Sequence, residues 1–210
     1  MKLYALMEHA REYPVFTLED CCKWFPDTAR STIILQLSGY TKRGLLARVK
    51  RGLYMLTDVP EISPLVVASR IDTGSFISIE SVLYRAGIIP ESTFGTTALT
   101  TGRTRQFTLP PYGIVRFRHI KQPLNFGWNL EQFEQYSVRV ATPEKALLDL
   151  LWFHRFEPDP SAYIQELRLD LPTGFSWDVF GRYSKLYSSR QIDILAGHIM
   201  NIHHDHKRAI

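Results

Sequence analysis

The residues best suited to chemistry in this sequence are cations. From Thr28 to Thr57 the chain carries no acid and six bases: Arg30, Lys42, Arg43, Arg48, Lys50 and Arg51. A solvated surface segment ordinarily mixes charge signs, so a run of one sign points to a polyanion. Thr28, Ser31 and Thr32 lie beside Arg30. Small hydroxyls approach phosphates and base edges closely, and an arginine reaches farther. These nine residues are the expected contacts to double-stranded DNA. The competing reading is a small helical domain with a basic solvent face.

A second acid-free stretch runs from Ser92 to Leu130. Its "RTR" and "RFR" segments place Arg103 with Arg105 and Arg116 with Arg118, each pair on one face if the segments are strands. "TLPPYG" between them suits a turn, so all four side chains could share a face. Such a face needs an anion such as nucleic acid, or carboxylates brought in from elsewhere in the fold.

Other chemistries find little footing. Glu144 and Lys145 follow Thr142-Pro143, the signature of a helix start, and no suitably placed upstream aspartate on a strand accompanies them as a nuclease would require. No glycine-rich phosphate loop and no nucleophile elbow occurs. His198, His203, His204 and His206 cluster near the C-terminus, where His198 and His203, five apart, fit one helical face poorly. Cys21 and Cys22 are adjacent, which disfavours a mutual disulfide, and no zinc spacing is present. The expectation is therefore no enzyme, no catalytic residue, no metal and no cofactor.

The elements that must position the cations follow from periodicity. "LYALMEHAREY" carries a helical apolar stripe. "FTLEDCCKWF" starts a second helix with Thr17 as cap. "PDTARSTIILQLSGYTKRG" starts a third, with Asp27 as candidate cap, Gly44 as stop, and Ile33, Ile34 and Leu37 on one face. "LLARV" and "LYMLT" read as strands joined through Gly52. Three helices and a hairpin are the layout of a winged helix-turn-helix. "TDVPEISP" resembles a linker, which places one domain over residues 1–60 and a larger α+β domain over 61–210. The second domain is expected to open with a helix at "SPLVVASRI" and a strand turning into a helix at "FISIESVLYRAG", to hold strands in its middle, and to carry further helices at "TPEKALLDLLWFHR", "SAYIQELRL", "WDVFGRYSKLY" and "RQIDILAGHIMNIHH".

The 210 residues carry a formal net charge of +4. Residues 1–60 hold nine Lys/Arg against six Asp/Glu, so most of the excess lies there. No run approaches the roughly 20 apolar residues of a membrane span, and reduced cysteines suit the cytoplasm.

"RVKRGLYML", then "FISIESVLYRAGII", then "VRVATPEKALLDLL", in that order, resemble the AbiEi-type antitoxins of bacterial type IV toxin–antitoxin systems. The resemblance covers nearly the whole chain and weakens over its last fifty or so residues. It implies a winged-helix domain that represses its own operon by binding an operator. It also implies a second domain needed to neutralise a nucleotidyltransferase toxin, without a stable complex between the two proteins. The runner-up is a stand-alone winged-helix regulator whose second domain senses a ligand or oligomerises.

Overall fold

The computed structural model of the chain describes residues 1–58, 62–90, 95–109 and 113–208, with side chains through residue 202. The chain is α+β and divides into two compact units. The first comprises Met1–Thr73 with Gln132–Ser137, and the second Gly74–Glu131 with Val138–Ile210.

The first unit runs α1 (Leu3–Glu12), β1 (Val15–Thr17), α2 (Leu18–Trp24), α3 (Arg30–Lys42), β2 (Leu46–Lys50), β3 (Leu53–Leu56) and α4 (Pro64–Ile71). Thr17 caps α2 as expected, in a reciprocal box. Its hydroxyl accepts from Asp20 N at 3.0 Å, and the Asp20 carboxylate accepts from Thr17 N at 2.8 Å. Asp27 does not cap α3. The helix begins at Arg30, behind an Ala29 that offers no side-chain acceptor. Gly44 then ends it at φ +73°, a left-handed conformation that costs glycine little. β1 was not legible from periodicity, because three residues cannot display alternation. It forms because β3 offers its free edge: Val15 pairs with Met55, and Leu46 of β2 pairs with Leu56 on the other side. The sheet order is β1-β3-β2.

Leu6, Ala10, Phe16, Cys21, Ile33, Leu37, Leu46, Tyr54 and Leu56 form one buried core. Each large apolar side chain there contributes about 1.5–3 kcal/mol through burial. Cys21 is among them, its thiol pushed up to about 12 by burial and by Asp20, so it fills space and is chemically quiet.

The boundary between the units lies after Thr73, beyond the linker read near Pro60; Val59, Pro60 and Glu61 lie outside the described residues. The reason is α4. Arg70 Nη2 bonds Asp20 Oδ2 at 2.8 Å, and Lys50 Nζ donates to the Ile71 carbonyl at 2.5 Å. These tie α4 to α2 and β2. Tyr136 also belongs to this unit: its hydroxyl lies 3.4 Å from Val15 N, and Arg70 lies over its ring.

The second unit contains β4 (Phe76–Ile77), α5 (Glu80–Arg85), β5 (Thr96–Thr100), β6 (Arg105–Thr108), β7 (Ile114–His119), most of β8 (Trp128–Phe133) and β9 (Tyr136–Ala141), α6 (Pro143–Phe153), α7 (Pro160–Glu166), α8 (Trp177–Leu186) and α9 (Arg190–Arg208). Its six-stranded sheet has the order β6-β7-β5-β4-β9-β8. β4/β9 and β5/β7 are parallel; β4/β5 and β6/β7 are antiparallel.

α6 is capped by Thr142, as its sequence announced. What the sequence concealed is the fate of its first turn. Lys145 and Asp149 are both fully buried and ion-paired to each other. Lys145 Nζ also donates to Tyr187 Oη at 2.8 Å, Tyr187 donates to Asp149 Oδ1 at 2.6 Å, and Ser78 donates to Asp149 Oδ2 at 2.7 Å. The rings of Phe76, Phe126 and Tyr187 surround the ammonium. Burial lowers the Lys145 pKa and raises that of Asp149; their mutual attraction works against both shifts. A closed, satisfied network of this kind holds β4, α6 and the end of α8 in one arrangement.

Candidate nucleic-acid interface

α3 turns Ile33 and Leu37 into the core and leaves Ser31, Thr32, Leu35, Ser38 and Lys42 exposed. Ile34 departs from its expected core face. It sits at the border of the stripe, 43% exposed, and lines a cleft. Leu35 is 73% exposed in the middle of the polar face.

That cleft lies between the start of α3 and the β2–β3 hairpin. Arg30, Ile34, Arg48, Lys50, Arg51 and Arg70 border it, with Glu19 as its acid. Four of the sequence-predicted cations therefore converge. Gly52 makes the convergence possible: at φ +77° it closes the hairpin turn next to Arg51. A register irregularity between Arg48 and Lys50 lies just before that turn.

The four cations differ in freedom. Arg48 and Arg51 are exposed and form no ion pair among the described residues. Arg30 is exposed but engaged, with Nη2 2.8 Å from Glu19 Oε1 and Nη1 3.7 Å from Cys22 Sγ. Lys50 is bonded to the Ile71 carbonyl at the border of the cleft. That contact comes from an element whose packing the hairpin sequence cannot reveal, and it gives Lys50 a partner within the fold.

The remaining predicted residues spread along α3. Thr28 precedes the helix, and its Oγ1 lies 3.3 Å from the Met1 amino nitrogen. Ser31 and Thr32 occupy the exposed first turn, which contains no acid and has no side-chain cap. Lys42 closes the helix and Arg43 is its C-cap. Twelve residues of helix rise about 18 Å, so these two cations sit one helix length away from Arg30.

The second arginine set does not share a face. In the β6/β7 ladder Arg105 pairs with Phe117, and Gln106 pairs with Arg116. Arg105 thus falls on the face of Phe117, over whose ring it lies at 5.2 Å, while Arg116 and Arg118 point to the opposite face. The sequence spacing was compatible with either register. Arg103 is exposed, ahead of β6. Pro110, Pro111 and Tyr112 of the expected turn lie outside the described residues, as do the side chains of His203, His204 and His206. Among the described residues no group of three or more His, Cys, Asp or Glu could hold a metal, and no helix is long and apolar enough to cross a membrane.

No protein-family model matches the chain, and no curated protein does. A solved structure, the RV2827C protein of Mycobacterium tuberculosis, is similar. It aligns with a TM-score of 0.53 at 15% identity, over 93% of this chain and 76% of that one. At that identity the likeness speaks for a shared fold alone.

Proposed function

We propose that the chain is a DNA-binding transcriptional regulator whose first unit works as a winged helix-turn-helix. In this reading α3 enters the major groove and the β2–β3 hairpin rests on the phosphate backbone. The element order α1-β1-α2-α3-β2-β3 and the sheet order β1-β3-β2 support it. The observation that carries it is the convergence of Arg30, Arg48 and Arg51 around one cleft, at the uncapped start of a helix whose exposed face is rich in hydroxyls. The N–H groups of that helix start, which has no side-chain cap, suit a phosphate as well.

Following the resemblance of "RVKRGLYML", "FISIESVLYRAGII" and "VRVATPEKALLDLL" to AbiEi-type proteins, the regulator is an autorepressor and antitoxin acting in the cytoplasm without catalysis. Its first unit binds the operator, and its second neutralises a nucleotidyltransferase toxin without a stable complex. Two assays on the full chain test this. A gel-shift titration against its own promoter should give salt-sensitive, sequence-selective binding. Co-expression with an adjacent nucleotidyltransferase gene should restore growth. Failure of rescue with intact operator binding would leave the stand-alone regulator, and loss of both would remove the proposal.

A further inference from the structure

The second unit contains a cleft that the proposed function does not use. Thr97, Thr104, Gln106, Ile114, Arg116 and Arg118 project from one face of β5, β6 and β7 and their flanks, and Glu80 joins them from the start of α5. Arg105 and Phe117 border the same cleft. We propose that this cleft binds a phosphate ester of nucleotide size: the arginine pair holds the phosphate, and Glu80 accepts from a hydroxyl or amino group of the same ligand.

Arg116 and Arg118 stand two residues apart on one strand, about 6.7 Å, so their guanidiniums can flank one phosphate or successive phosphates. Neither forms an ion pair among the described residues. Arg118 is half-buried, stacked 3.7 Å over the Phe153 ring, and burial lowers its pKa. An arginine held rigid and partly dry, with Glu80 near it but no ion pair among the described residues, is prepared for an anion, because little flexibility is lost on binding. The cleft holds about 640 Å³, within the range of small-molecule sites.

Glu80 is placed by strain. Ile79 has φ 56° and ψ −135°, a conformation that a β-branched residue rarely tolerates, and it is fully buried. The elbow persists because both sides are pinned to Thr97: Ser78 N donates to the Thr97 carbonyl at 3.2 Å, and Thr97 N donates to Ser81 Oγ at 2.8 Å. The bond from Ser78 to Asp149 fixes it further. Its effect is to set Glu80 beside the arginines. An adjoining cleft shares Glu80 and contains Tyr163, whose buried hydroxyl has no partner among the described residues. Such an orphan donor is rare in a folded protein.

The test is calorimetric titration of the full chain with ATP, GTP, CTP, UTP and inorganic phosphate separately. At least one nucleotide should bind more tightly than phosphate. Arg116→Gln should weaken that nucleotide by roughly 10- to 100-fold, the effect of one lost charge-assisted bond. Arg116 stacks on no ring among the described residues, so an unchanged melting temperature shows that the variant is folded. Glu80→Gln separates the two halves of the proposal. It should weaken the nucleotide and tighten inorganic phosphate, since it removes a repelling charge. Equal tightening of both overturns the role of Glu80. Undiminished nucleotide binding by folded Arg116→Gln, or no nucleotide binding by the parent, overturns the site. A single-stranded oligonucleotide that displaces bound nucleotide at lower concentration than the nucleotide itself would assign the arginines to nucleic acid.

Discussion

Lys50 and Arg51 are neighbours in sequence, yet they should behave as different kinds of residue. Arg48 and Arg51 are exposed and form no ion pair among the described residues, whereas Lys50 is bonded to the Ile71 carbonyl. If Arg48 and Arg51 each contact one phosphate, changing both to glutamine removes two contacts. The slope of log affinity against log salt then falls by about 1.8. Between 50 and 200 mM salt, a fourfold rise, parent affinity should drop about tenfold more than that of the double variant. Lys50→Ala should leave the slope unchanged. Its cost should appear in the fold, where loss of one hydrogen bond of about 1 kcal/mol lowers the melting temperature by about 2–4 °C. Glu19→Gln should do the reverse. It frees Arg30 and removes the cleft's acid, so binding tightens by about two- to tenfold at low salt, in keeping with the small worth of an exposed pair. Fluorescence anisotropy with one duplex at four salt concentrations reads all three. A Lys50→Ala slope reduced by about 0.9, the share of one phosphate contact, would refute the assignment of Lys50 to α4, and an unchanged slope in the Arg48/Arg51 variant would remove the hairpin from the backbone.

Three further outcomes follow from other parts of the molecule. Asp149→Ala strands the Lys145 ammonium in the core, which costs about 3–5 kcal/mol and lowers the melting temperature by about 6–20 °C; the Lys145→Met/Asp149→Leu double variant should recover at least half of that in a calorimetric scan, and a near-parental Asp149→Ala would refute the network's importance. Burial raises the Asp20 pKa, but hydrogen bonds from Thr17 and the charges of Arg70 and Lys23 outweigh it and hold the carboxyl below its ordinary value. Its contribution is therefore present above the unfolded pKa of about 4 and fades as pH falls through the lower folded value. Melts of the parent and Asp20→Asn at successively lower pH should converge, and a gap that widens on acidification would show the opposite sign. Leu35→Ala removes an apolar group that covers no core, so stability should change by less than about 0.5 kcal/mol. Discrimination at one thymine-bearing base pair should fall instead, as a selection over randomised operators would reveal, and unchanged selectivity would place Leu35 outside the groove.

Most of the first unit's local structure was written in its sequence. Thr17 with Asp20 specifies the start of α2, Gly44 the end of α3, Gly52 the hairpin turn, and the spacing of Ile33 and Leu37 the buried stripe. Each is a decision made within a few residues, by a hydrogen bond or an allowed φ, so a linear reading reaches it. The sign of the charge between Thr28 and Thr57 was equally legible. What escaped depends on partners distant in the chain. β1 exists because β3 has an edge to pair. Lys50 is withdrawn because Ile71 presents a carbonyl, and Arg70 reaches back to Asp20 across fifty residues. The "RTR" and "RFR" segments fix which arginines alternate but not the register between them. One residue of register separates four arginines on one face from the observed split. The burial of Lys145, four residues from Asp149 on a helix that reads as ordinary, is decided by Tyr187 and Ser78, because a buried charge is tolerable only where the fold brings its partners together.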